Sequence, residues 1–264
     1  MSVKKLNPKK EAINVEEMCG EVFTLLAGYK DEDGNIHKEF EIIEMTGAEE
    51  EAIAKPEIRI NGAKVVRTVL ERCCIRIGDL TKSSMGLAKW RNIIQNLYVG
   101  DQDYMMLKIR EQSVGAEVEA NHECPNQQCK AKLKTLVNLD ELEVMPFKES
   151  EFDFELPRGY RDKNGVVHKT GRLRLPKGVD RELLDPIARK NLGEANTLML
   201  TRCIMSLDEV NVTNDIIRGL SIGDRNYLFE LLKDYMFGIN FNIEIVCDTC
   251  GTDFKASLNM ANFI

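Results

Sequence analysis

Strand-like and helix-like patterns of apolar residues follow one another along this chain. Short apolar stretches lie just before and just after Asp33-Gly34, which predicts a β-hairpin with a two-residue turn. The stretch from Thr46 to Glu49 has the form of a capping box and predicts the start of a short helix. Apolar residues then recur at helical spacing and place Cys73 on the side that faces the core.

Two later helices are predicted at residues 101–115 and 224–238, each with an aspartate at its start and a glycine at its end. Strands with apolar residues at every second position follow them, over residues 118–124 and 239–247. Both strands run into a pair of cysteines, and a further alternating run comes after each pair. The pattern therefore predicts two hairpins with cysteines at their tips.

The order of these elements occurs twice, and many of the residues recur with it. Residues 28–51 match residues 159–182 at a constant offset, with eight identical positions. Further matched positions, in chain order, are Leu70/Leu200, Arg72/Arg202, Cys73/Cys203, Gly100/Gly223, Asp101/Asp224, Tyr104/Tyr227, Gly115/Gly238 and Cys124/Cys247. We expect a tandem duplication, because chance recurrence of common loop residues would not keep this order.

The cysteine pairs carry the clearest candidate chemistry. Cys247 and Cys250 form a C-x2-C sequence followed by glycine, and Cys124 and Cys129 form a C-x4-C sequence at the matching place. Each pair supplies two thiolates, whereas a structural zinc site needs four ligands in a closed tetrahedron. Two hairpin tips that meet would place all four sulfurs around one ion. The sequence therefore predicts one shared structural zinc.

Other interpretations of these cysteines stay open at this stage. They could be two separate thiol pairs or disulfides, and His122 could replace one of the ligands. A catalytic metal is disfavoured, since four thiolates leave no coordination position for water. A redox role is disfavoured as well, because a redox C-x-x-C normally lies at a helix N-terminus and this pair lies between strands.

The charge of the chain limits its partners. Lysine and arginine number 36 and aspartate and glutamate 43, a formal net charge of −7, which disfavours general nucleic-acid binding. A short basic stripe at Lys130, Lys132 and Lys134 is more simply a solvated strand face than a phosphate contact. No apolar run approaches the ~20 residues of a membrane span, and none forms a signal-peptide core. We therefore expect synthesis in the cytosol with reduced cysteines.

No catalytic constellation stands out. The sequence lacks the glycine-rich phosphate loops and the H-E-x-x-H and G-x-S-x-G motifs of common enzyme classes. His37 and His168 recur after the predicted hairpin turns, near Asp31 and Asp162, but turn aspartates commonly bind local backbone. We expect these pairs to be structural and the chain not to be an enzyme.

The segment Leu-Ser-Ile-Gly-Asp-Arg-Asn-Tyr-Leu-Phe at residues 220–229, the helix up to Gly238 and the strand into Cys247 and Cys250 resemble a known family. This is the baseplate hub and tail assembly family of contractile-tailed, T-even-like bacteriophages. Its members carry a Gly-Asp-Arg-x-Tyr-Leu helix, a glycine, a strand and a C-x-x-C turn. The first copy departs from that motif, because Gln102 replaces the arginine and its cysteine pair is C-x4-C.

The resemblance implies a structural or assembly protein of the tail baseplate that acts through contacts with other phage tail or baseplate proteins. It would be located in the virion baseplate, and in the host cytoplasm during assembly, with no nucleic acid or membrane as partner. The first alternative is a zinc-ribbon nucleic-acid-binding or transcription-associated protein. The second is a metal-dependent hydrolase, which would need a metal with an open coordination position. The oligomeric state stays open.

These observations predict an α+β fold of two tandem pseudo-symmetric repeats, each with a β-hairpin, several helices and a C-terminal hairpin zinc knuckle. We expect a flexible basic arm at residues 1–19, a first repeat at 20–142, a joint at 143–152 and a second repeat at 153–264. Because the joint is short, the two repeats should pack against each other. The shared zinc, held by Cys124, Cys129, Cys247 and Cys250, should fix their relative orientation.

Overall fold

The structure is a computed structural model that describes residues 20–258, so the expected arm at residues 1–19 and the last residues of the expected second repeat lie outside it. Within this range the chain is a mixed α+β fold with five small antiparallel sheets. The strands are β1 (Glu21–Lys30), β2 (Ile36–Ile42), β3 (Cys74–Ile77), β4 (Leu80–Thr81), β5 (Glu117–Glu123), β6 (Lys132–Asn138), β7 (Val144–Met145), β8 (Glu151–Arg161), β9 (Val167–Arg174), β10 (Ile204–Leu207), β11 (Gly238–Ile239), β12 (Asn242–Val246) and β13 (Asp253–Ser257). The helices are α1 (Gly47–Ile53), α2 (Pro56–Arg59), α3 (Gly62–Cys73), α4 (Lys82–Asn96), α5 (Val99–Val114), α6 (Gly178–Ala188), α7 (Leu192–Cys203), α8 (Asn214–Gly219) and α9 (Ile222–Tyr235).

The two largest sheets are each built on a long hairpin. The first has the strand order β1-β2-β3-β4, and the second has the order β10-β9-β8. Phe23 lies opposite Phe40 in the first hairpin, and Phe152 lies opposite Leu173 in the second. The other sheets are the pairs β5-β6, β12-β13 and β11-β7. Phe40 and Leu173 are fully buried, so each hairpin supplies one wall of a core.

The helix starts follow the capping rules that the sequence indicates. Thr46 caps α1, and its side chain and that of Glu49 form the reciprocal bonds of the predicted capping box. Asn61 caps α3, since its side-chain oxygen accepts the backbone N–H of Lys64 at 3.0 Å. At the end of α3, Cys73 is fully buried, as the helical spacing predicts.

The two-residue turn predicted at Asp33-Gly34 is wrong, because a five-residue loop joins β1 to β2. The carboxylate of Asp31 accepts the backbone N–H of Asn35 at 2.8 Å and thereby closes the longer loop. Gly34 has a φ of +90°, but a type I′ turn needs two consecutive residues with positive φ. The loop at residues 162–166 is closed in the same way by its own first aspartate.

The helix end predicted at Gly238 is also wrong, although the one predicted at Gly115 is confirmed. Helix α9 ends earlier, at Tyr235, and Gly238 begins β11 with a φ of +114°. A Cβ atom on Gly238 would lie 2.8 Å from the Cα of Gly100, and one on Gly100 would lie 2.8 Å from the ring of Phe237. Glycine is needed here for a close approach of two backbones rather than for a helix cap.

The strand predicted over residues 239–247 is divided in two. Its first part, β11, pairs with β7, which lies inside the expected joint. The backbone N–H of Asn240 is bound by the carbonyl of Glu143 at 2.9 Å, and the Asn240 side chain accepts the N–H of Asn242. The chain turns there before β12 begins. Residues 143–145, at the start of the expected joint, therefore pair with the last third of the chain.

Three clusters of buried apolar residues form the core of the described structure. The first lies among β1–β4 and α3–α5, and the second lies mainly among β8–β10 and α7–α9. The third lies beneath the two cysteine hairpins and combines residues 107–139 with residues 239–258. Its buried members are Leu107, Val118, Ala120, Val137, Leu139, Ile239 and Leu258. The hairpins β5-β6 and β12-β13 thus share one core with α5.

A polar seam joins α6 to the helices of the first 142 residues. The guanidinium of Arg181 donates two hydrogen bonds of 2.7 Å to the carboxylate of Asp103. One carboxylate oxygen of Glu182 accepts bonds from Arg67 at 3.0 Å and from Gln95 at 2.9 Å. Paired, half-buried charges of this kind fix the register between helices more than they add to stability.

Asp101, near the start of α5, is completely buried and binds the edge strand of the first sheet. Its carboxylate accepts the backbone N–H groups of Leu26, Ala27 and Gly28 at 2.8, 3.1 and 3.0 Å. Burial raises the pKa of Asp101 to about 6. No neighbouring strand pairs with β1 on this side in the described sheet, so the carboxylate satisfies its otherwise free donors.

The close approach at Gly100 yields a direct prediction. The substitution Gly100→Ala should destabilise the chain by about 2 kcal/mol or more, because the added methyl group would overlap the carbonyl and ring of Phe237. Urea unfolding followed by far-UV circular dichroism measures this change.

Gly47→Ala is the matched control, because a Cβ atom on Gly47 in the first turn of α1 meets nothing within 4 Å. Its unfolding free energy should stay within about 0.5 kcal/mol of the wild type. Equal midpoints for the two variants would contradict the close packing described here.

Candidate metal centre

The first cysteine pair lies in the turn between β5 and β6. The backbone N–H of Cys124 is bound by the carbonyl of Ala131 at 2.9 Å, which closes the hairpin. The carbonyl of Asn126 accepts the N–H groups of Cys129 and Lys130 at 2.9 and 3.0 Å. Lys130 has a φ of +48°, so the chain turns sharply just after the second cysteine. Both sulfurs are thereby turned to one side of the loop.

The second pair lies in the turn between β12 and β13 and is more compact. The backbone N–H of Cys247 is bound by the carbonyl of Thr252, and the Cys247 carbonyl accepts the N–H of Gly251 at 2.7 Å. Gly251 has a φ of +70°, a conformation that glycine adopts without the cost of a Cβ atom. The glycine after Cys250 therefore allows the chain to turn just after the second sulfur.

The two turns meet, and their four sulfurs form one cluster. The Sγ atom of Cys124 lies 3.7 Å from that of Cys250, and the Sγ atom of Cys129 lies 3.8 Å from that of Cys247. All four sulfurs lie within 4.8 Å of one another. Sulfurs from different hairpins, more than 100 residues apart in the sequence, thus lie in close contact.

These distances can be compared with those of a metal site. A tetrahedron of four sulfurs at ~2.3 Å from a central ion has sulfur–sulfur edges of about 3.8 Å. The Cys124–Cys250 and Cys129–Cys247 distances are close to that value. The described cluster is compatible with a metal site, and its donor set is the one that structural zinc prefers.

The surroundings affect the thiols unequally. Removal from water raises the pKa of the Cys124 thiol to about 12, whereas a hydrogen bond with the Thr252 hydroxyl lowers the pKa of Cys250 to about 6. Cys124 and Cys247 are buried and Cys250 is exposed, so the cluster lies at the surface with one side open. A divalent cation would hold all four sulfurs as thiolates.

The side chain of Asn126 is the main contact at this site that sequence reasoning missed. It donates to the sulfur of Cys250 at 3.9 Å and to the hydroxyl of Thr252 at 3.4 Å, and so links the two turns. Hydrogen bonds to coordinating sulfurs orient them and moderate their charge. An asparagine within a C-x4-C loop is a weak signal alone, because asparagine is common in turns.

His122, considered from the sequence as a substitute ligand, does not belong to the sulfur cluster. It lies in β5 opposite Leu133, and its Nε2 atom is buried without a hydrogen-bond partner among the described residues. The redox alternative is disfavoured by the fold, since both cysteine pairs lie in turns between strands and not at a helix N-terminus.

The other described cysteines serve as core residues. Cys73, Cys74 and Cys203 are fully buried. Burial raises the pKa of the Cys73 and Cys203 thiols to about 12, so both stay neutral and unreactive. Cys19 lies outside the described residues.

The two histidine–aspartate pairs close their hairpin loops. The Nε2 atom of His37 lies 3.0 Å from a carboxylate oxygen of Asp31, and the Nε2 atom of His168 lies 3.5 Å from one of Asp162. The contact with His37 lowers the pKa of Asp31 to about 2. Each aspartate also binds backbone N–H groups of its own loop, which favours the structural interpretation.

The basic stripe is a solvated strand face. Lys132 and Lys134 are exposed on β6, and the ammonium group of Lys134 lies 2.7 Å from a carboxylate oxygen of Glu119 on β5. Glu119 thus neutralises one of the three lysines of the stripe. No helix within residues 20–258 combines the length and the apolar character required to cross a bilayer.

Comparison with known proteins gives one result. The family model described as "T4 bacteriophage base plate protein" matches residues 36–212, which is more than half of the chain. No curated protein and no solved structure matches. The matched region includes Cys124 and Cys129 and ends before Cys247 and Cys250. It also ends before residues 220–229, the most specific part of the resemblance, so the family is supported here by other residues.

Proposed function

From the premise that this chain belongs to the T4 bacteriophage base plate protein family, we propose that it is a zinc-stabilised structural or assembly protein of a contractile phage tail baseplate. It would act through contacts with other tail proteins, in the host cytoplasm during assembly and in the virion baseplate afterwards. The family match supports the baseplate role. The cluster of four sulfurs supports the metal and is the observation on which the stabilising role depends.

The metal in this proposal is one Zn²⁺ held by Cys124, Cys129, Cys247 and Cys250. The donor set and the short sulfur–sulfur distances support it. Four thiolates fill a tetrahedron and leave no position for water, so the ion would stabilise structure and not catalyse hydrolysis. Binding of such an ion can contribute on the order of 10 kcal/mol to the stability of the loops that hold it.

We further propose that residues 20–142 and 153–264 are tandem repeats on either side of the joint at 143–152. Elements recur in the same order: a long hairpin, a helix that ends in a buried cysteine, a short strand, a long helix and a cysteine hairpin. Equivalent contacts recur as well. Asn61 and Asn191 cap α3 and α7 through the same side-chain atom.

The matched aspartates at the start of the long helices give a second parallel. Asp101 and Asp224 are both completely buried, and both accept backbone N–H groups from the edge strand of the preceding hairpin. For Asp224 the donor is Arg158 in β8, at 2.9 Å. A duplicated unit would keep such a contact, because a buried carboxylate without its donors is costly.

A nucleic-acid-binding function is less well supported. The net charge is −7, and in the basic stripe considered from the sequence Lys134 is paired with Glu119 of the neighbouring strand. The structure agrees better with a protein that presents a rigid surface to other proteins. The two main cores and the polar seam hold the described elements in one arrangement.

The shared-site proposal predicts one zinc ion per chain in the purified protein. Cys124→Ser and Cys247→Ser should each reduce zinc to a trace, because either change removes one of the four ligands and three thiolates bind far more weakly. Helical circular dichroism should be retained in both, since the seam at α6 does not involve the metal. Elemental analysis after dialysis measures the zinc.

His122→Gln is the matched control, because it alters the same hairpin beside Cys124 and removes no sulfur. It should retain one zinc. Two zinc ions per wild-type chain, or retention of zinc in one of the two cysteine variants, would contradict a site shared by both hairpins.

The baseplate proposal predicts that affinity-tagged full-length chain, purified from infected cells, brings tail or baseplate proteins with it. Their amounts, measured by quantitative mass spectrometry, should exceed those from a tagged unrelated control by about tenfold. Nucleic-acid content should not depend on the chain. Recovery of nucleic acid whose binding falls steeply with salt, without tail proteins, would favour the rival function.

A further inference from the structure

The dipeptide Asn-Gly occurs twice in the sequence, at Asn61-Gly62 and at Asn164-Gly165. In this dipeptide the backbone nitrogen of the glycine can attack the side-chain amide of the asparagine, because glycine has no Cβ atom to shield that nitrogen. The rate of the attack depends on how freely the asparagine side chain can move. The fold places the two pairs in opposite environments, so each pair is an internal reference for the other.

Asn61 is held in place at the start of α3. It is only 4% exposed, its Nδ2 atom donates to the carbonyl of Glu182 at 2.9 Å, and its Oδ1 atom accepts the N–H of Lys64 at 3.0 Å. Gly62 is the first residue of α3, and its own N–H is bound by the carboxylate of Asp185 at 3.0 Å. An attack on the Asn61 amide would have to break the hydrogen bonds of a buried side chain.

Asn164 lies in the loop between β8 and β9 and is not held in this way. Asn164 and Gly165 are both exposed, and the Asn164 side chain makes no hydrogen bond within the part of the chain that the structure describes. The N–H of Gly165 is bound by the carbonyl of Asp162 at 3.1 Å, but the N–H of Gly62 is bound as well. The freedom of the Asn164 side chain is therefore the main difference between the two pairs.

We propose that Asn164 is a site of deamidation. The backbone nitrogen of Gly165 forms a bond to the Cγ atom of Asn164, the C–N bond of the side-chain amide breaks, and the amide nitrogen leaves as ammonia with the backbone N–H proton. The cyclic succinimide then takes up one water molecule from solvent at either of its two carbonyl groups. The ring opens to aspartate or isoaspartate, and the new carboxyl group is ionised at neutral pH. The inference does not depend on the proposed baseplate function.

The loop should keep its shape when aspartate is formed. It is closed by the Asp162 carboxylate, which accepts the N–H groups of Asn164 and Val166 at 2.9 and 2.8 Å, and the Asn164 side chain takes no part in these bonds. The loop between β1 and β2 already has aspartate before its glycine, in Asp33-Gly34, and is closed in the same way. Formation of aspartate would thus add one negative charge to the surface without opening the loop.

Formation of isoaspartate would also change the backbone. The main chain would then run through the former side chain of Asn164 and gain one methylene group. Gly165 would shift relative to the carbonyl of Asp162 and the guanidinium of Arg161, which bind its N–H and its carbonyl at 3.1 and 2.9 Å. The two products therefore differ in their effect on the loop, although they carry the same charge.

Peptide mapping of the full-length chain tests the proposal. The folded protein is incubated in mildly alkaline buffer made with heavy-oxygen water, digested in ordinary water and analysed by mass spectrometry. The peptide with residue 164 should take up one heavy-oxygen atom and separate into aspartyl and isoaspartyl isomers. The peptide with residue 61 should react about tenfold more slowly or less, because two hydrogen bonds of a buried side chain must first break.

Two controls separate the effect of the fold from that of the dipeptide. In concentrated urea, where the hydrogen bonds of Asn61 are lost, the two Asn-Gly peptides should react at similar rates. In the folded protein, Asn164→Gln is the matched variant, because it keeps an exposed amide before Gly165 but would need a larger ring. It should take up almost no heavy oxygen at residue 164.

Three results would overturn the proposal. One is the absence of heavy-oxygen uptake at residue 164 in the folded chain, and another is equal uptake at residues 61 and 164. The third is a difference between the two peptides that persists unchanged in urea, because the neighbouring sequence and not the fold would then set the rates.

Discussion

Four cysteine sulfurs within 4.8 Å of one another impose the strictest constraint on this structure. They come from two turns more than 100 residues apart, so the cluster depends on how both hairpins are positioned. Uncompensated thiolates at these distances would repel one another, and neutral thiols would gain little from the contact. A cation bound by all four sulfurs would give the arrangement a physical reason and would keep the turns together.

The hairpins are brought to this place by packing that does not involve the sulfurs. Leu107 of α5, Val118 of β5 and Ile239 of β11 belong to one buried cluster under both turns. Along the opposite side, α6 contacts the first part of the chain through the Arg181–Asp103 pair and the bonds to Glu182. The metal would therefore stabilise the hairpin tips locally. The sequence predicts that a shared zinc fixes the relative orientation of the two halves, and these contacts link the same parts of the chain without the metal.

Local structure could be predicted from the sequence wherever a single side chain or a single periodic pattern determines the element. The capping box at Thr46, the buried face that includes Cys73 and the cysteine hairpins belong to this class. The close approach of Gly100 and Gly238 could not be predicted in this way. Glycine is suited both to a helix cap and to a close backbone contact, so its presence does not distinguish between them. The length of the first hairpin loop was mispredicted. The Asp33-Gly34 pair indicates a two-residue turn, but the Asp31 side chain closes a loop of five residues.

Contacts distant in sequence were the least predictable. The pairing of β7 with β11, the three donors of Asp101 and the bonds of Glu182 depend on tertiary packing. The cysteine cluster is the exception, because metal-ligand spacing and a repeated order point to the same four residues. Several independent links between distant parts of the chain hold the described elements in one arrangement.

X-ray absorption at the zinc edge of the purified full-length chain tests the central claim most directly. The account predicts a first shell of four sulfur atoms at ~2.3 Å from a single zinc. A shell that contains nitrogen or oxygen, or only two sulfurs, would contradict a closed site built from both hairpins.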